Sequence, residues 1–440
     1  MELMNRDLSM LTKNLAAKSA SVFKQDPKLV AAIDKLYSKN EVKNLNSKML
    51  LPDRRLNFLE VQEILDHSSK DKEQGPSTFL QEKNNIRKSL IKNVEDVLRK
   101  INDSAENGDT PMLVIRNQRL WSNCVYDLDR VTLKSFVDAK KTTLSYSNRE
   151  HKTRFNAIVF VLTKVHELLS KNLCVTRREL FYQNVTRFRN QSNLDEAVRD
   201  VCCLLQTPPW NLGIIATAKG LIAGSVKIHM KDGSCIDCFG AGGTLIPQDV
   251  DGIKEFRSTA KYILVVEKDA VFQKLLDEGA LVRLGPLIIL TGKGYPDVCT
   301  RQLLCRLVNE LRLRALALVD ADPHGYEIFL TYKYGSLAQS HLSQSLACSS
   351  LQLLGARHGD VMTLATKESR LALTSRDKRK IVNLVKRPYL NTATGSIIRK
   401  DLEDMLKSGV KAEIEALSPT AAALCDSYLP SKIIQADYLG

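Results

Sequence analysis

Three apolar runs, Tyr262–Val266, Leu287–Leu290 and Ala315–Val319, constrain this chain more than any other feature. Strands that are apolar at every position, not at alternate ones, are buried on both faces. Helical periodicity follows each run, at about Asp269 to Glu278, over Asp297–Leu313 and from about Pro323 onward. Strands alternating with helices predict an α/β unit with a parallel sheet covered on both sides. Ligands of such sheets bind beyond the carboxyl ends of the strands. The acids of this segment fall there. The first run closes in Val266-Glu267-Lys268-Asp269, and the third in Val319-Asp320-Ala321-Asp322-Pro323-His324-Gly325.

An i, i+2 pair of carboxylates at one strand end, with Glu267 arriving from a nearby strand end, gathers three acids at one mouth. Uncompensated, they would repel one another unless protons or a hard cation sat between them. Oxygen-only donors suit Mg²⁺ or Mn²⁺, so Glu267, Asp320 and Asp322 are the candidate metal ligands. Asp-x-Asp and a Glu after a strand are each common, and their combination is far more specific. His324 reads as a hydrogen-bonding loop residue before it reads as a ligand. Gly292-Lys293-Gly294 does not complete a P-loop, because Leu287 and Gly294 stand where a glycine and a Ser or Thr are required. No ATP site is predicted, and Lys293 is left to contact phosphate. Cys235-x-x-Cys238 lacks a second half-site at usable spacing and reads as residues flanking a hairpin, not as a zinc site.

Ahead of this unit the pattern is different. Residues 1–77 are rich in Lys, Asn, Ser and Asp and predict a poorly ordered extension. From Thr78 to Ile101, Phe79, Ile86, Leu90, Ile91, Val94, Val97 and Leu98 recur at helical spacing, giving an amphipathic helix for docking on its own domain or on a partner. Residues 103–150 are irregular, with strands at Met112–Ile115 and around Val125. A helix from Lys152 to Lys171 carries more than one apolar stripe and should be largely buried. Thr176-x-x-Glu179 is a capping-box signature opening a short helix, and Ser192-x-x-Asp195 opens another that Pro208-Pro209 ends. Leu212–Thr217 and Leu221–Met230 suggest a hairpin around Lys219-Gly220, with another turn at Asp232-Gly233. Three helices followed by a hairpin is the order of a winged helix-turn-helix, a DNA-binding module. The implied division is 1–77, 78–102, 103–246 and 247–440.

The short helix carries Arg177, Arg178 and Tyr182, with Arg187 and Arg189 beyond it. A tyrosine titrating near pH 10 is a poor nucleophile alone, yet attacks phosphorus when cations and a base or metal activate it. Arginine forks suit phosphate. The ordinary alternative is a half-buried helix aromatic. The net charge of +14 and the pI near 9.2 favour a polyanionic partner, and a solubility role would not explain arginines beside a tyrosine. Ten cysteines scattered mostly singly fit a reducing compartment. The first residues lack a signal-peptide core, and no run approaches a membrane span.

These motifs together resemble the A subunit of topoisomerase VI and its eukaryotic meiotic relatives, the transesterases that make double-strand breaks. The resemblance runs from about Arg154 to the end. It rests on Arg178-Glu-Leu-Phe-Tyr182, Phe188-x-x-Gln191, Thr217-Ala-Lys-Gly-Leu-Ile-Ala-Gly224, Val266-Glu267-Lys-Asp-Ala-x-Phe272-Gln, Thr291-Gly-Lys-Gly-Tyr-Pro-Asp297, Leu318-Val-Asp320-Ala-Asp322-Pro-His-Gly325, Lys386-Arg-Pro-Tyr389 and Lys411-Ala-Glu-Ile-Glu-Ala-Leu417. It implies a winged-helix domain carrying the nucleophile, Tyr182, followed by a Toprim domain, a Rossmann-like parallel sheet carrying the metal acids Glu267, Asp320 and Asp322. It gives Arg178 a phosphate-contacting role, and Arg177, Lys219 and Lys293 are expected to contact DNA. Phe181 stands where the family often has a second tyrosine, so one hydroxyl remains. Glu179 replaces a frequent Asp. The implied activity is metal-dependent cleavage of double-stranded DNA through a 5′-phosphotyrosyl bond, in the nucleus. It would be carried out by a homodimer with trans active sites under a topoisomerase VI B-like regulator. A Mg²⁺-dependent Toprim nuclease or primase-like enzyme without a covalent step, and a non-catalytic DNA-binding scaffold, are the alternatives. The basic run Arg376–Lys380 reads first as a solvated helix start.

Overall fold

The computed structural model describes residues 76–440 apart from 128–129, 216, 241, 418–423 and 440, together with residues 27, 28, 31, 32, 34 and 35. The expectation for residues 1–77 therefore lies almost wholly outside the described residues. Helix α1 spans Pro76–Glu106 and packs along α2, Arg149–Lys171. Its Leu90 and Val94 are buried in the same core as Phe155, Ile158, Val161, Leu162, Val165 and Leu169 of α2, so this part of the helix docks on its own unit. Asn148 caps α2 by accepting from the Glu150 amide, and Asn172 ends it in the left-handed region.

Between these helices lie two antiparallel strand pairs, β1 (Met112–Arg116) with β4 (Lys141–Ser145) and β2 (Cys124–Asp127) with β3 (Arg130–Leu133). The sequence showed only the first strand of each pair. After α2 come β5 (Val175–Thr176), α3 (Arg177–Tyr182), α4 (Val185–Phe188) and α5 (Gln191–Leu205). The cap of α5 is Asn190, which accepts from the Asn193 amide at 3.0 Å, and not Ser192, whose hydroxyl donates to Asn190.

The hairpin expected around Lys219-Gly220 does not form. Strand β6 (Ile214–Ile215) pairs in parallel with β5, while β7 (Leu221–Gly224) leaves for the large sheet. Almost wholly buried, β7 suits an inner position there and not an exposed hairpin arm. Gly224 has φ +119°, and a Cβ on it would meet the Leu287 carbonyl at 2.2 Å, so only glycine makes this approach. The turn at Asp232-Gly233 does form, between β8 (Val226–Met230) and β9 (Cys235–Asp237). With β11 (Ile253–Ser258) these strands make a three-stranded sheet whose Val226, Ile228, Ile253 and Phe256 enter the second core. The expected wing thus packs on the C-terminal unit. The helical core ends at Ile214, and the second core, apart from Cys124 and Val131 of the β2–β3 hairpin, draws on residues from Ala218 onward, so the hydrophobic division falls between those positions and not at 246.

The C-terminal unit is built on a six-stranded sheet in the order β10-β7-β13-β12-β14-β15. Here β10 is Thr244–Leu245, β12 Tyr262–Val266, β13 Leu287–Thr291, β14 Arg314–Leu318 and β15 Gln352–Gly355. Strands β13, β12, β14 and β15 run parallel, and on the β13 side β7 runs antiparallel to them, with β10 at the edge antiparallel to β7. No separate sequence signal marks β15, an apolar run too short to stand out. Alternate residues of each strand enter opposite cores. Ile263, Val265, Ile288, Leu290, Ala315 and Ala317 face one side, with α7 (Val298–Leu311), α8 (Pro323–Lys333), α10 (Ser375–Val385) and α11 (Ala393–Ser408). Tyr262, Leu264, Val266, Leu287, Ile289, Leu316 and Leu318 face the other, with α6 (Asp269–Asp277), α9 (His358–Leu364) and α12 (Leu429–Ile434). Each Val, Leu or Ile buried this way contributes roughly 1.5–3 kcal/mol. Among the described residues no helix is long and apolar enough to cross a membrane.

The docking of α1 is directly testable by equilibrium unfolding. Leu90→Ala, at a buried position, should cost about 2–5 kcal/mol, whereas Ile86→Ala, at a 49% exposed one, should stay within about 0.5 kcal/mol. Equal, negligible effects would mean that the helix is not part of this core.

Candidate active site

Tyr182 ends α3. Thr176 opens that helix by accepting from the Glu179 amide at 3.1 Å. Glu179 returns no bond to Thr176 among the described residues and accepts instead from Gln183 Nε2, so half of the capping box forms. Leu180 is buried in the helical core. Two residues on, a helix has turned about 200°, which directs Tyr182 outward. Tyr182 is 70% exposed, its ring centroid lies 5.8 Å from that of half-buried Phe181, and its hydroxyl has no hydrogen bond among the described residues. A side chain anchored this way presents its oxygen to solvent.

Arg178 is exposed beside it, as are Arg187, which stacks 4.5 Å from the Phe160 ring centroid, and Arg189. Arg177 points elsewhere. It is half-buried, with Nη1 3.8 Å from Asp195 Oδ1 on α5. Helix α5 is itself tied to α2 by a fork from Arg154 to the buried carboxylate of Asp200, at 2.7 and 2.8 Å.

The acids meet because of register. On β12, Val266 pairs with Thr291 of β13 and with Leu318 of β14, so three carboxyl ends open at one level. The Glu267 amide donates to the Leu318 carbonyl at 3.0 Å, and Glu267 Oε2 accepts from the Asp320 amide at 2.8 Å. Asp320 Oδ1 accepts from the Ile414 amide at 2.9 Å, and its Oδ2 lies 3.2 Å from Lys268 Nζ. Asp322 caps α8, its Oδ1 accepting from the amides of His324 and Gly325 at 2.8 and 2.7 Å. A Cβ on Gly325 would meet the Asp320 carbonyl at 2.3 Å and Glu267 Oε2 at 3.0 Å, which explains a glycine where the helix backs onto the acids.

Burial, and next the Asp320 carboxylate, push Glu267 up to about 8. Burial pushes Asp320 up to about 6, although the Ile414 amide and Lys268 favour its charged form. Burial opposes the charge of Lys268, but Asp320, Glu415 and Glu413 outweigh it and hold the ammonium protonated far above neutrality. Glu267 Oε1 and Asp322 Oδ2 have no protein partner among the described residues. A hard cation would find oxygen donors and uncompensated negative charge here. No three donors have yet converged into a closed cluster among the described residues. Mg²⁺ needs only one or two carboxylates and completes its shell with water and substrate oxygens, so this donor set fits it.

Lys219 and Lys293, 74 positions apart, are brought together at this edge. Lys219 Nζ donates to the Lys293 carbonyl at 3.1 Å. Lys293 is not left open to phosphate as expected, since its Nζ lies 3.0 Å from Asp269 Oδ2. The Gly-Lys-Gly loop is fixed by the Gly294 amide on the Glu267 carbonyl, at 2.8 Å. His324 behaves as a loop residue, its Nδ1 3.4 Å from the Tyr295 hydroxyl. All ten cysteines are free.

Sequence reasoning missed several groups. Lys268 is the cation of the acid site, and Glu413 and Glu415 hold it at 3.1 Å each. Glu327 on α8 receives Tyr295, Lys380 and Arg387. Burial raises it, yet these partners bring it down to about 2. The signal was present in Lys411–Leu417 and Lys386–Tyr389, which had motifs but no roles. No hydrogen bond, ion pair or ring contact among the described residues joins Tyr182, Arg177 or Arg178 to Glu267, Asp320 or Asp322.

Residues 262–433 match the family of the Toprim domain of Spo11 and of the A subunit of topoisomerase 6, and residues 153–214 match "Type IIB DNA topoisomerase". The chain is 34% identical over 343 residues to meiotic recombination protein SPO11 of Mus musculus, covering 77% of this chain and 86% of that protein. It is 35% identical to meiotic recombination protein W68 of Drosophila melanogaster, covering 76% and 98%. To the A subunit of DNA topoisomerase 6 of Arabidopsis thaliana it is 35% identical, covering 73% and 75%.

The raised carboxyl groups have a measurable consequence in chelator. Glu267 holds its proton more tightly folded than unfolded, so its stabilising contribution is complete below about pH 4 and is lost as the pH rises through about 8. The melting temperature should fall over that interval. Glu267→Gln should remove much of the fall and melt at least about 3 °C above wild type at pH 8 in chelator. Parallel melting curves for the two proteins would show that Glu267 is not strained.

Proposed function

The chain belongs to the family of Spo11 and the topoisomerase VI A subunit, and from that premise we propose that it cuts duplex DNA with Tyr182 as nucleophile. The family is one of topoisomerase-like, DNA-cleaving enzymes, and its meiotic members supply the biological setting, double-strand breaks that initiate recombination. In the proposed step the Tyr182 oxygen attacks a backbone phosphorus and the 3′ oxygen leaves. One phosphodiester is exchanged for another, a 5′-phosphotyrosyl bond. The tyrosine proton passes to solvent or a base, and the departing oxygen is protonated to a 3′-hydroxyl. Because bond energy is retained, the step itself needs no ATP.

Arg178, exposed next to Tyr182, is given the phosphate, which a planar guanidinium grips through two oxygens. Glu267, Asp320 and Asp322 are given the metal. When bound there, Mg²⁺ (or Mn²⁺) would neutralise charge on the phosphate and the leaving oxygen. Lys268 keeps Asp320 ionised meanwhile, and Lys219 and Lys293 add positive charge at the same edge. The helical unit, with α2, α3 and α5, is read as the winged-helix DNA-binding module.

The observation that carries this reading is the pairing of Glu267 with Asp320 at the sheet mouth, in a chain that also holds Tyr182 exposed on a capped helix. One tyrosine cuts one strand, so a double-strand break takes two chains, each Tyr182 working at its partner's acids. A partner of the topoisomerase VI B type is given the control of that pairing, with α1 as its docking element, and the nucleus is the assigned compartment.

Label transfer from DNA to protein on a denaturing gel tests the covalent step. Tyr182→Phe should abolish the adduct outright. Asp320→Asn should lower its rate by about 100-fold or more and flatten the Mg²⁺ dependence. Cleavage without transfer would favour a Toprim nuclease, and an adduct surviving Tyr182→Phe would place the nucleophile elsewhere.

A further inference from the structure

The helical unit leaves one charged pair unfinished. Arg177 is the first residue of α3, and Asp195 lies near the start of the longer α5. Their separation of 3.8 Å is an ion pair but exceeds hydrogen-bonding distance. Arg177 Nε and Asp195 Oδ1 are both buried, and neither has a hydrogen-bond partner among the described residues. Buried donors and acceptors are ordinarily satisfied, and leaving them unpaired is costly. The Arg177 guanidinium also acts on the Cys202 thiol, about two turns along α5. Burial pushes that thiol up to about 12, and Arg177 draws it part-way back. With its Nη1 3.8 Å from Asp195 and its side chain 21% exposed, the arginine head lies along α5.

A shift of about 1 Å of α3 against α5 would turn this contact into a charge-assisted hydrogen bond. Tyr182 is the other end of the same six-residue helix, and Leu180 is its buried anchor, so the shift moves the tyrosine directly. We propose that Arg177 and Asp195 form a clamp that closes when DNA loads α3 and fixes the depth at which the Tyr182 oxygen meets phosphorus. Arg177 is then a positioning residue and not a DNA contact. The inference rests on the reading of Tyr182 as nucleophile and adds the device that aims it.

The test uses the full chain in its cleaving assembly with Arg177→Gln, Asp195→Asn, their double variant and Asp195→Glu. Adduct formation is timed at saturating DNA, affinity is measured against salt, and hydrogen exchange of the α3 amides is followed in the DNA-bound protein without divalent metal, where no cleavage occurs. Both single variants should slow adduct formation by about 100-fold, the loss expected of a nucleophile misplaced by an ångström. The double variant should be no worse than either. DNA affinity and its salt slope should stay unchanged, exchange across Leu180–Gln183 should rise, and Asp195→Glu, long enough to span the gap, should restore the rate. The proposal is overturned if Arg177→Gln weakens binding and reduces the salt slope by about 0.9 while Asp195→Asn does not, since Arg177 would then touch a phosphate. Unchanged rate and exchange in both single variants would overturn it equally. Adducts persisting in Tyr182→Phe would sink the nucleophile reading alone, because exchange in α3 is measured without the reaction.

Discussion

The parallel register of β12 between β13 and β14 is the constraint from which the acid site follows. Opposing Val266 to both Thr291 and Leu318 ends three strands at one level, so the next residues meet: Glu267, Gly292 and the turn to Asp320. Glu267 closes that mouth through its own amide and through its carboxylate on the Asp320 amide. A slip of one residue would send its side chain to the opposite face and break both cores together, since alternate β12 residues fill one core and then the other. The packing that makes the sheet stable thus also sets the position of the acids. The chain passes from β12 to β13 on one side and then to β14 on the other, making this the switch point where such sheets bind ligands.

Packing brings the acids together, but electrostatics leaves them unbalanced. Lys268 is the neighbouring cation, and it is shared with Glu413 and Glu415. Burial and the Asp320 carboxylate outweigh it at Glu267, which keeps a proton near neutrality, and a site of this kind is less stable empty than a neutral one would be. Such strain belongs at functional positions, where local stability yields to chemistry. The nearby Glu327 cluster shows the contrast. Two cations and a tyrosine hydroxyl surround one carboxylate, which stays ionised and joins the Gly-Lys-Gly loop to the C-terminal helices. The first arrangement suits an arriving cation, whereas the second is already complete.

What was legible in the sequence was whatever depends on period and on strand ends. Tyr262–Val266 and Leu287–Leu290 announce a doubly covered sheet because every position is apolar, and the acids stand out because ligands gather where such strands end. The outward direction of Tyr182 follows from an inward Leu180 two residues earlier. Contacts that span long stretches of chain were not legible. The Ile414 amide reaches Asp320 across 94 positions, and nothing local marks it. Leu221–Gly224 resembles a hairpin arm because alternation and a glycine turn do not say which sheet a strand joins. Arg177 resembles a phosphate contact because charge in a sequence carries no side-chain direction. Asn190 is hidden by Ser192, a competing cap two residues away.

The tyrosine and the acids belong to different cores, and apart from the β2–β3 hairpin, whose Cys124 and Val131 enter the second core, the junction between them is polar. Trp210 Nε1 donates to Asp251 Oδ2 at 2.7 Å, Gln302 Nε2 to Asp251 Oδ1 at 2.6 Å, and Lys83 of α1 meets Asp249 at 2.6 Å. These residues line a cleft of 770 Å³ between α1, the helical unit and the sheet unit. The β2–β3 hairpin adds a firmer tie, with the Val131 amide on the Tyr334 carbonyl and Trp121 edge-on to Tyr389. Interfaces of this polar kind permit relative motion more readily than a shared apolar core does. A chain that had to cut within itself would need its nucleophile locked to its own acids. A chain that cuts as half of a pair needs each element rigid within its own unit, with the distance between units set by the partner and the DNA. The capped α3, the Arg154–Asp200 fork and the strand register supply that internal rigidity, and the polar junction leaves between the units the freedom that the proposed two-chain cleavage would use.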